Sequence, residues 1–205
     1  MEKLQEDLKA YIKSSREEVN HYFDGLDLAG LQMAKELILE VEKTGNRVHV
    51  SGIGKPGHVS GYVASLLSST GTPAYQLDAS EAIHGSAGQV KCGDVVIAIS
   101  NSGETKELKA AVETLQKNEA KLIAVSGNKK SWLAKVCDIH LFAGVNKEGD
   151  ILNKPPRASI LAEMVVLQCL SVLLQYERNI TPQMYVKWHP GGALGKSIRE
   201  DENGN

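Results

Sequence analysis

Two stretches of this sequence put glycines, hydroxyls and a cation where a phosphate could be held. The first, Ser51-Gly52-Ile53-Gly54-Lys55-Pro56-Gly57-His58, spaces its glycines as G-x-G-x-x-G. Small residues at a strand-to-helix turn leave backbone N–H groups open to an anion at the helix N-terminus, and Lys55 adds a positive charge there. The second, Ser100-Asn101-Ser102-Gly103-Glu104-Thr105, sets three hydroxyls and an amide before a helix. One of them is expected to cap that helix. The others exceed what a cap needs and suit a phosphate monoester, so phosphate is expected on Ser51, Gly52, Ser100, Asn101, Ser102 and Thr105. Two further stretches, Glu81-Ala82-Ile83-His84-Gly85 and Trp188-His189-Pro190-Gly191-Gly192-Ala193-Leu194-Gly195, each hold a histidine in a loop, where function concentrates. His21, His49 and His140 fall in helix or strand patterns and read as structural, while His58 opens a helix.

Strands and helices must carry these loops. Apolar residues at Leu4, Leu8, Tyr11, Ile12, Val19, Tyr22 and Phe23, then Leu31, Ala34, Leu37, Ile38 and Val41, recur at helical spacing, so two helices precede any strand. From Arg47 the period changes. Val48 to Ser51, Ala74 to Leu77, Val95 to Ile99, Leu122 to Ser126 and Ile139 to Phe142 read as strands, separated by helices near 57–70, 105–117 and 131–136 and a short turn near 79–84. Strands alternating with helices predict an α/β fold with a parallel sheet in a three-layer α/β/α sandwich. In the flavodoxin-like order 2-1-3-4-5, the loops after strands one and three flank the point where strand order reverses, so the two phosphate stretches would face each other. The run Ala158 to Leu174, apolar nearly all round, is expected to be a buried or interface helix rather than a membrane span. The segment 143–156 reads as a long loop.

The 205 residues suit one domain, with a helical arm over 1–45, an α/β core over 46–198 and a frayed tail over 199–205. With 42% hydrophobic and 23% charged residues the composition is globular. Lys+Arg 23 against Asp+Glu 25 gives a net charge of -2, which argues against a nucleic-acid partner. Cys92, Cys137 and Cys169 are odd in number and lie in no ligand-like spacing, so neither a disulfide framework nor a metal site is expected. The charged N-terminus has no apolar secretory region. A cytoplasmic protein without a membrane partner is the expectation.

Five motifs, Gly52-Ile53-Gly54-Lys55-Pro56-Gly57-His58, Ser69-Thr70-Gly71-Thr72-Pro73, Glu81-Ala82-Ile83-His84-Gly85, Ile99-Ser100-Asn101-Ser102-Gly103-Glu104 and His189-Pro190-Gly191-Gly192-Ala193-Leu194-Gly195, together resemble the sugar isomerase (SIS) domain of the arabinose-5-phosphate isomerase family. The resemblance spans about residues 47–198 and keeps the family's motif order. It implies a five-stranded parallel α/β/α domain that interconverts an aldose and a ketose phosphate without a redox cofactor. It also implies Lys55, His84, Glu104 and His189 as catalytic residues and points to a homotetramer, while the apolar faces of the N-terminal helix and of 158–174 by themselves predict at least a homodimer. The chain departs from the family at Pro155-Pro156-Arg157-Ala158-Ser159, where relatives are Thr/Ser-rich, and at Ser86-Ala87-Gly88. It is expected to lack the paired C-terminal CBS modules of many relatives.

Aldose–ketose isomerisation moves a proton between neighbouring carbons through an enediol(ate), so one carboxylate can act as base and then acid. Glu104 is the first choice, with a pKa expected to be pushed up in a partly dehydrated cleft. Lys55 and one of the imidazoles would stabilise the developing oxyanion, and the other imidazole would assist ring opening. Two other readings compete. One is a sugar-phosphate or nucleotide-sugar sensor without catalysis, and the other is a nicotinamide-dependent oxidoreductase suggested by the glycine motif with Asp78 ending the next strand.

Overall fold

The computed structural model describes residues 2–189. Helices α1 (Glu2–Asp24) and α2 (Leu28–Glu42) come first, as the spacing predicts, and Asp27 caps α2 by accepting the Gly30 N–H at 3.0 Å. Then follow β1 (Val48–Gly52), α3 (Lys55–Ser69), β2 (Ala74–Asp78), α4 (Ala79–Ala82), a 3₁₀ turn (Ser86–Gln89), β3 (Val95–Ile99), α5 (Lys106–Lys117), β4 (Lys121–Ser126), α6 (Trp132–Val136) and β5 (Ile139–Phe142). After a loop, α7 (Ala158–Glu177) and α8 (Pro182–Trp188) end the described chain. All five strands pair in parallel, in the order β2-β1-β3-β4-β5.

Residue alternation splits the core into two halves across this sheet. Val48, Val50, Val95, Ile97, Ile99, Ile123, Val125 and Leu141 pack against α2, α3 and α7. Leu77, Val96, Ala98, Leu122 and Ala124 pack against α4, α5 and α6. β1 and β3 are buried on both faces; β3 accordingly reads as an unbroken apolar run, whereas His49 and Ser51 interrupt that of β1.

α7 extends three residues past the expected end. At 20 residues, with a mean hydropathy of 1.8, it is long and apolar enough to cross a membrane by those measures alone. Half of it is buried, with Leu167, Leu170 and Leu174 fully covered in the half-core that also holds α2 and α3 residues. Its far end is tied to α2 by Arg178, whose guanidinium donates to both Glu42 oxygens at 2.7 and 2.5 Å. α8 is an element the apolar spacing does not announce. Thr181 caps it by accepting the Met184 N–H at 3.2 Å, and Pro182 opens its first turn.

Candidate functional site

Register brings the expected loops to one edge of the sheet. Gly52 pairs with Asp78 on one side and Ile99 on the other, so residues 53–55, 79–84 and 100–105 all leave from the C-terminal ends of adjacent strands. Between β1 and β3 the strand order reverses, opening the crevice in which α/β sheets bind ligands.

The two phosphate stretches differ in how their polar groups are used. Ser51 is buried beside this crevice, and its hydroxyl has no hydrogen-bond partner among the described residues, an arrangement that costs about 1–3 kcal/mol until a partner arrives. Ser100 is also buried. Its Oγ accepts the Gly103 N–H at 3.1 Å and lies 3.0 Å from the Thr105 hydroxyl. Ser102 and Asn101 are exposed, and Ser102 Oγ accepts the Glu104 N–H at 3.2 Å. The expected cap is absent, because Thr105 holds the N-cap position of α5 without a side-chain bond to the helix. α3 also starts without a side-chain cap, at Gly54 with φ of 66°, a conformation that suits glycine. Both helices flanking the reversal therefore begin without a side-chain cap among the described residues, leaving N–H groups where an anion is favoured. A cleft of about 280 Å³ lined by Gly52, Ile53, Gly54, Gly57, His58, Gln76, Asp78 and Ser80 adjoins the first loop.

Lys55 is the exposed first residue of α3, and His84 is exposed just after α4. Lys106, Lys129 and Lys130 also follow strand ends on this edge. A phosphate dianion would be drawn toward such a rim.

Glu104 corrects an expectation. Its carboxylate is about half exposed, Oε2 meets Lys109 Nζ at 2.5 Å, and Oε1 accepts the Trp132 N–H at 2.7 Å. The Lys109 hydrogen bond, then the Trp132 N–H, hold its carboxyl below the usual range, opposite to the upward shift expected from a dry cleft. His189 lies elsewhere. It follows Trp188, whose ring packs against Gly71 and lines a cleft with Thr72, Pro73 and Ala74, so α8 sits where β2 begins rather than where it ends. Five residues of β2, about 15 Å, separate that position from the edge that carries His84. The His189 ring stacks on Tyr185 at 4.0 Å, and its Nδ1 is 2.8 Å from the Tyr185 carbonyl oxygen. The rest of that glycine-rich motif, together with the expected tail, falls outside the described residues.

Comparison with known proteins fits this architecture. A family model described as the SIS domain matches residues 43–173. The chain belongs to the SIS domain family. It is 40% identical over 152 residues to arabinose 5-phosphate isomerase KdsD of Escherichia coli K12, covering 74% of this chain and 46% of that protein. It is 39% identical over 152 residues to the KdsD of Pseudomonas aeruginosa, covering 74% and 47%. The chain thus spans about half the length of the curated relatives it matches. The solved structure of c3406 from E. coli CFT073 in complex with arabinose 5-phosphate superimposes with a TM-score of 0.85 at 30% identity, covering 92% of this chain and 98% of that one. The glycine motif of the first loop is therefore an SIS loop, and the Asp78 carboxylate caps α4, its Oδ1 accepting the Ser80 and Glu81 N–H groups at 2.7 and 3.2 Å.

One residue of the SIS edge escapes motif reading. Glu107 sits in the first turn of α5, is exposed, and makes no ion pair among the described residues. Its signal in the sequence is weak, since an acidic residue in a first helical turn is ordinary. Of the three histidines read as structural, His49 is buried with Nε2 3.2 Å from Asp94 Oδ2 and His140 Nε2 is 2.9 Å from the Ser126 hydroxyl, whereas His21 is exposed on α1 and lines a cleft with Tyr22 and Phe142.

Proposed function

We propose that this SIS chain is a phosphosugar aldose–ketose isomerase of the arabinose 5-phosphate to ribulose 5-phosphate type. The observation that carries the reading is the convergence, where strand order reverses, of the unpartnered Ser51 hydroxyl, the Ser100–Thr105 hydroxyls and two helix N-termini without side-chain caps. In this reading the phosphate rests on Ser51, Gly52, Ser100, Asn101, Ser102 and Thr105. The identity to KdsD proteins and the likeness to the arabinose 5-phosphate complex support the same substrate class.

Anchoring the phosphate leaves the far end of the sugar to react near the rim. A base removes the proton from the carbon beside the aldehyde, the C–H electron pair forms the enediolate, the hydroxyl proton passes from that carbon's oxygen to the former aldehyde oxygen, and the base, now an acid, returns its proton to the former aldehyde carbon. No redox cofactor is required, because the two carbons exchange oxidation state between themselves. Lys55 supplies the positive charge for the enediolate oxygen, and His84 is the imidazole on the same edge for ring opening. Proton transfer falls to a carboxylate not already held by an ion pair, which favours the exposed Glu107 over Glu104, paired with Lys109 and the Trp132 N–H. His189 would join the site only from a second copy of the chain. We therefore place the activity in a homodimer or homotetramer, acting in the cytoplasm without a nucleic-acid or membrane partner.

The deciding experiment is an isomerisation assay of purified protein against a panel of pentose and hexose phosphates without added nicotinamide cofactor. Turnover of arabinose 5-phosphate with solvent deuterium entering beside the carbonyl is the expected result. Tight binding without turnover would instead select a sensor.

A further inference from the structure

The second phosphate loop does not stand alone; it is fastened to the helix beyond the next strand. The first N–H groups of α6 lack partners within the helix. Trp132 N–H donates to Glu104 Oε1 at 2.7 Å, Leu133 N–H to the Gly103 carbonyl at 3.1 Å, and Ala134 N–H to Ser131 Oγ at 3.2 Å. Two consecutive loop residues thus take two consecutive helix N–H groups. Gly103, at φ of 66°, lies so close to Ser131 that an added Cβ would collide with its hydroxyl, so the loop has no room to slip. Lys109 closes the arrangement from α5, holding Glu104 Oε2 while its ammonium lies 5.3 Å from the centre of the Trp132 ring. Every oxygen of the Glu104 carboxylate is thereby committed to structure around the loop that carries Ser100 and Ser102.

We propose that Glu104 is a positioning residue, whose carboxylate locks the Ser100–Thr105 phosphate loop onto α6 and α5, and that it does not shuttle the substrate proton. The inference rests on the reading of that loop as the phosphate site. The carboxylate stays anionic so that it can accept the Trp132 N–H and hold Lys109, both of which suit a charged acceptor. A group tied in this way offers little to a proton on carbon. Loss of the lock would loosen the hydroxyls of the cradle and weaken phosphate binding before it touched the chemistry.

Glu104→Gln and Glu104→Ala separate the two roles, because the glutamine keeps an oxygen able to accept the Trp132 N–H and the alanine does not. Three measurements are compared with wild type: amide hydrogen exchange at Trp132 and Leu133, the Kd of inorganic phosphate, and kcat and KM with arabinose 5-phosphate over a pH range. The expected result is that Glu104→Gln keeps the amides protected, holds kcat within about tenfold and retains the acidic limb of the pH profile, while Glu104→Ala speeds exchange at Trp132 and raises the phosphate Kd about tenfold or more. A fall in kcat of roughly 10²-fold or more for Glu104→Gln, with phosphate Kd and amide protection unchanged, would make Glu104 the base and overturn the proposal. Unchanged exchange at Trp132 in Glu104→Ala would overturn it as well. If wild type turns over no phosphosugar, the isomerase reading fails, and the exchange and phosphate-binding arms still decide the role of Glu104.

Discussion

A buried hydroxyl with no partner among the described residues is a cost unless a ligand completes it; Ser159 and Thr72 share that state, and Ser51 is set apart by its place near the end of β1, beside the reversal of strand order. Ser51→Ala removes the orphan, so folding stability should hold or rise slightly, while KM for a phosphosugar should increase roughly 10- to 100-fold, the worth of a charge-assisted hydrogen bond of about 1.5–3 kcal/mol. Chemical denaturation and steady-state kinetics on one preparation test both halves, and an unchanged KM would remove Ser51 from the phosphate site. Glu107→Gln should show the reverse pattern, with KM nearly intact and kcat lowered by roughly 10²–10⁴-fold, and solvent deuterium incorporation should fall in step. Both choices depend on whether a side chain is engaged or free. Motif spacing could bring Ser51, Lys55, His84 and Glu104 to attention, since each stands at a strand end in a recognisable loop. That Glu104 meets Trp132, 28 positions away, is a tertiary fact that no local pattern encodes.

α7 carries a buried carboxyl, Glu163, fully covered and with neither carboxylate oxygen hydrogen-bonded among the described residues. Burial, reinforced by the nearby Glu148 charge, pushes its pKa up from 4.5 to about 8, so the folded protein keeps this proton where the unfolded chain has lost it. The unfolded state therefore binds fewer protons between pH 4.5 and 8, and stability falls as pH rises through that window. Relative to Glu163→Gln, whose amide does not titrate, wild type should lose about 1.4 kcal/mol per pH unit across the window and level off above it. Urea unfolding of the two proteins at several pH values measures the slope, and parallel curves would contradict it. Elements like this helix were legible because long apolar runs and β-branched strands leave few alternatives, and β1 and β3 are buried on both faces. α8 was not, because a seven-residue helix with Val186 as its buried residue has no period to detect. Its absence from the sequence reading is also why the distance between His189 and the rim could not be seen.

Covering one sheet does not use all the apolar surface this chain presents. The second half of α1 is anchored, with the Tyr22 hydroxyl donating to the Phe142 carbonyl at 2.7 Å and Glu18 accepting the Asn146 N–H at 2.8 Å. Its first half carries Leu4, Leu8 and Ile12 at 75%, 56% and 47% exposure, four residues apart and so on one face. Such a stripe in a lone molecule is unfavourable, and the proposed second copy would both cover it and bring a His189 toward the rim. If association supplies His189 to a neighbour's rim, an intact site needs Lys55 from one chain and His189 from another. Lys55→Ala and His189→Ala proteins, each nearly inactive, should then regain activity when unfolded together and refolded, reaching about a quarter of wild type for a dimer in which half the pairs are mixed and one of their two sites is whole. Leu8→Glu should shift the wild-type chain toward monomer in light scattering at micromolar concentration and lower turnover with it, although residue 8 touches no phosphate loop. Mixtures that stay inactive while remaining dimeric would show that His189 serves its own chain or none, and a wild-type monomer with full activity would remove the need for a second copy.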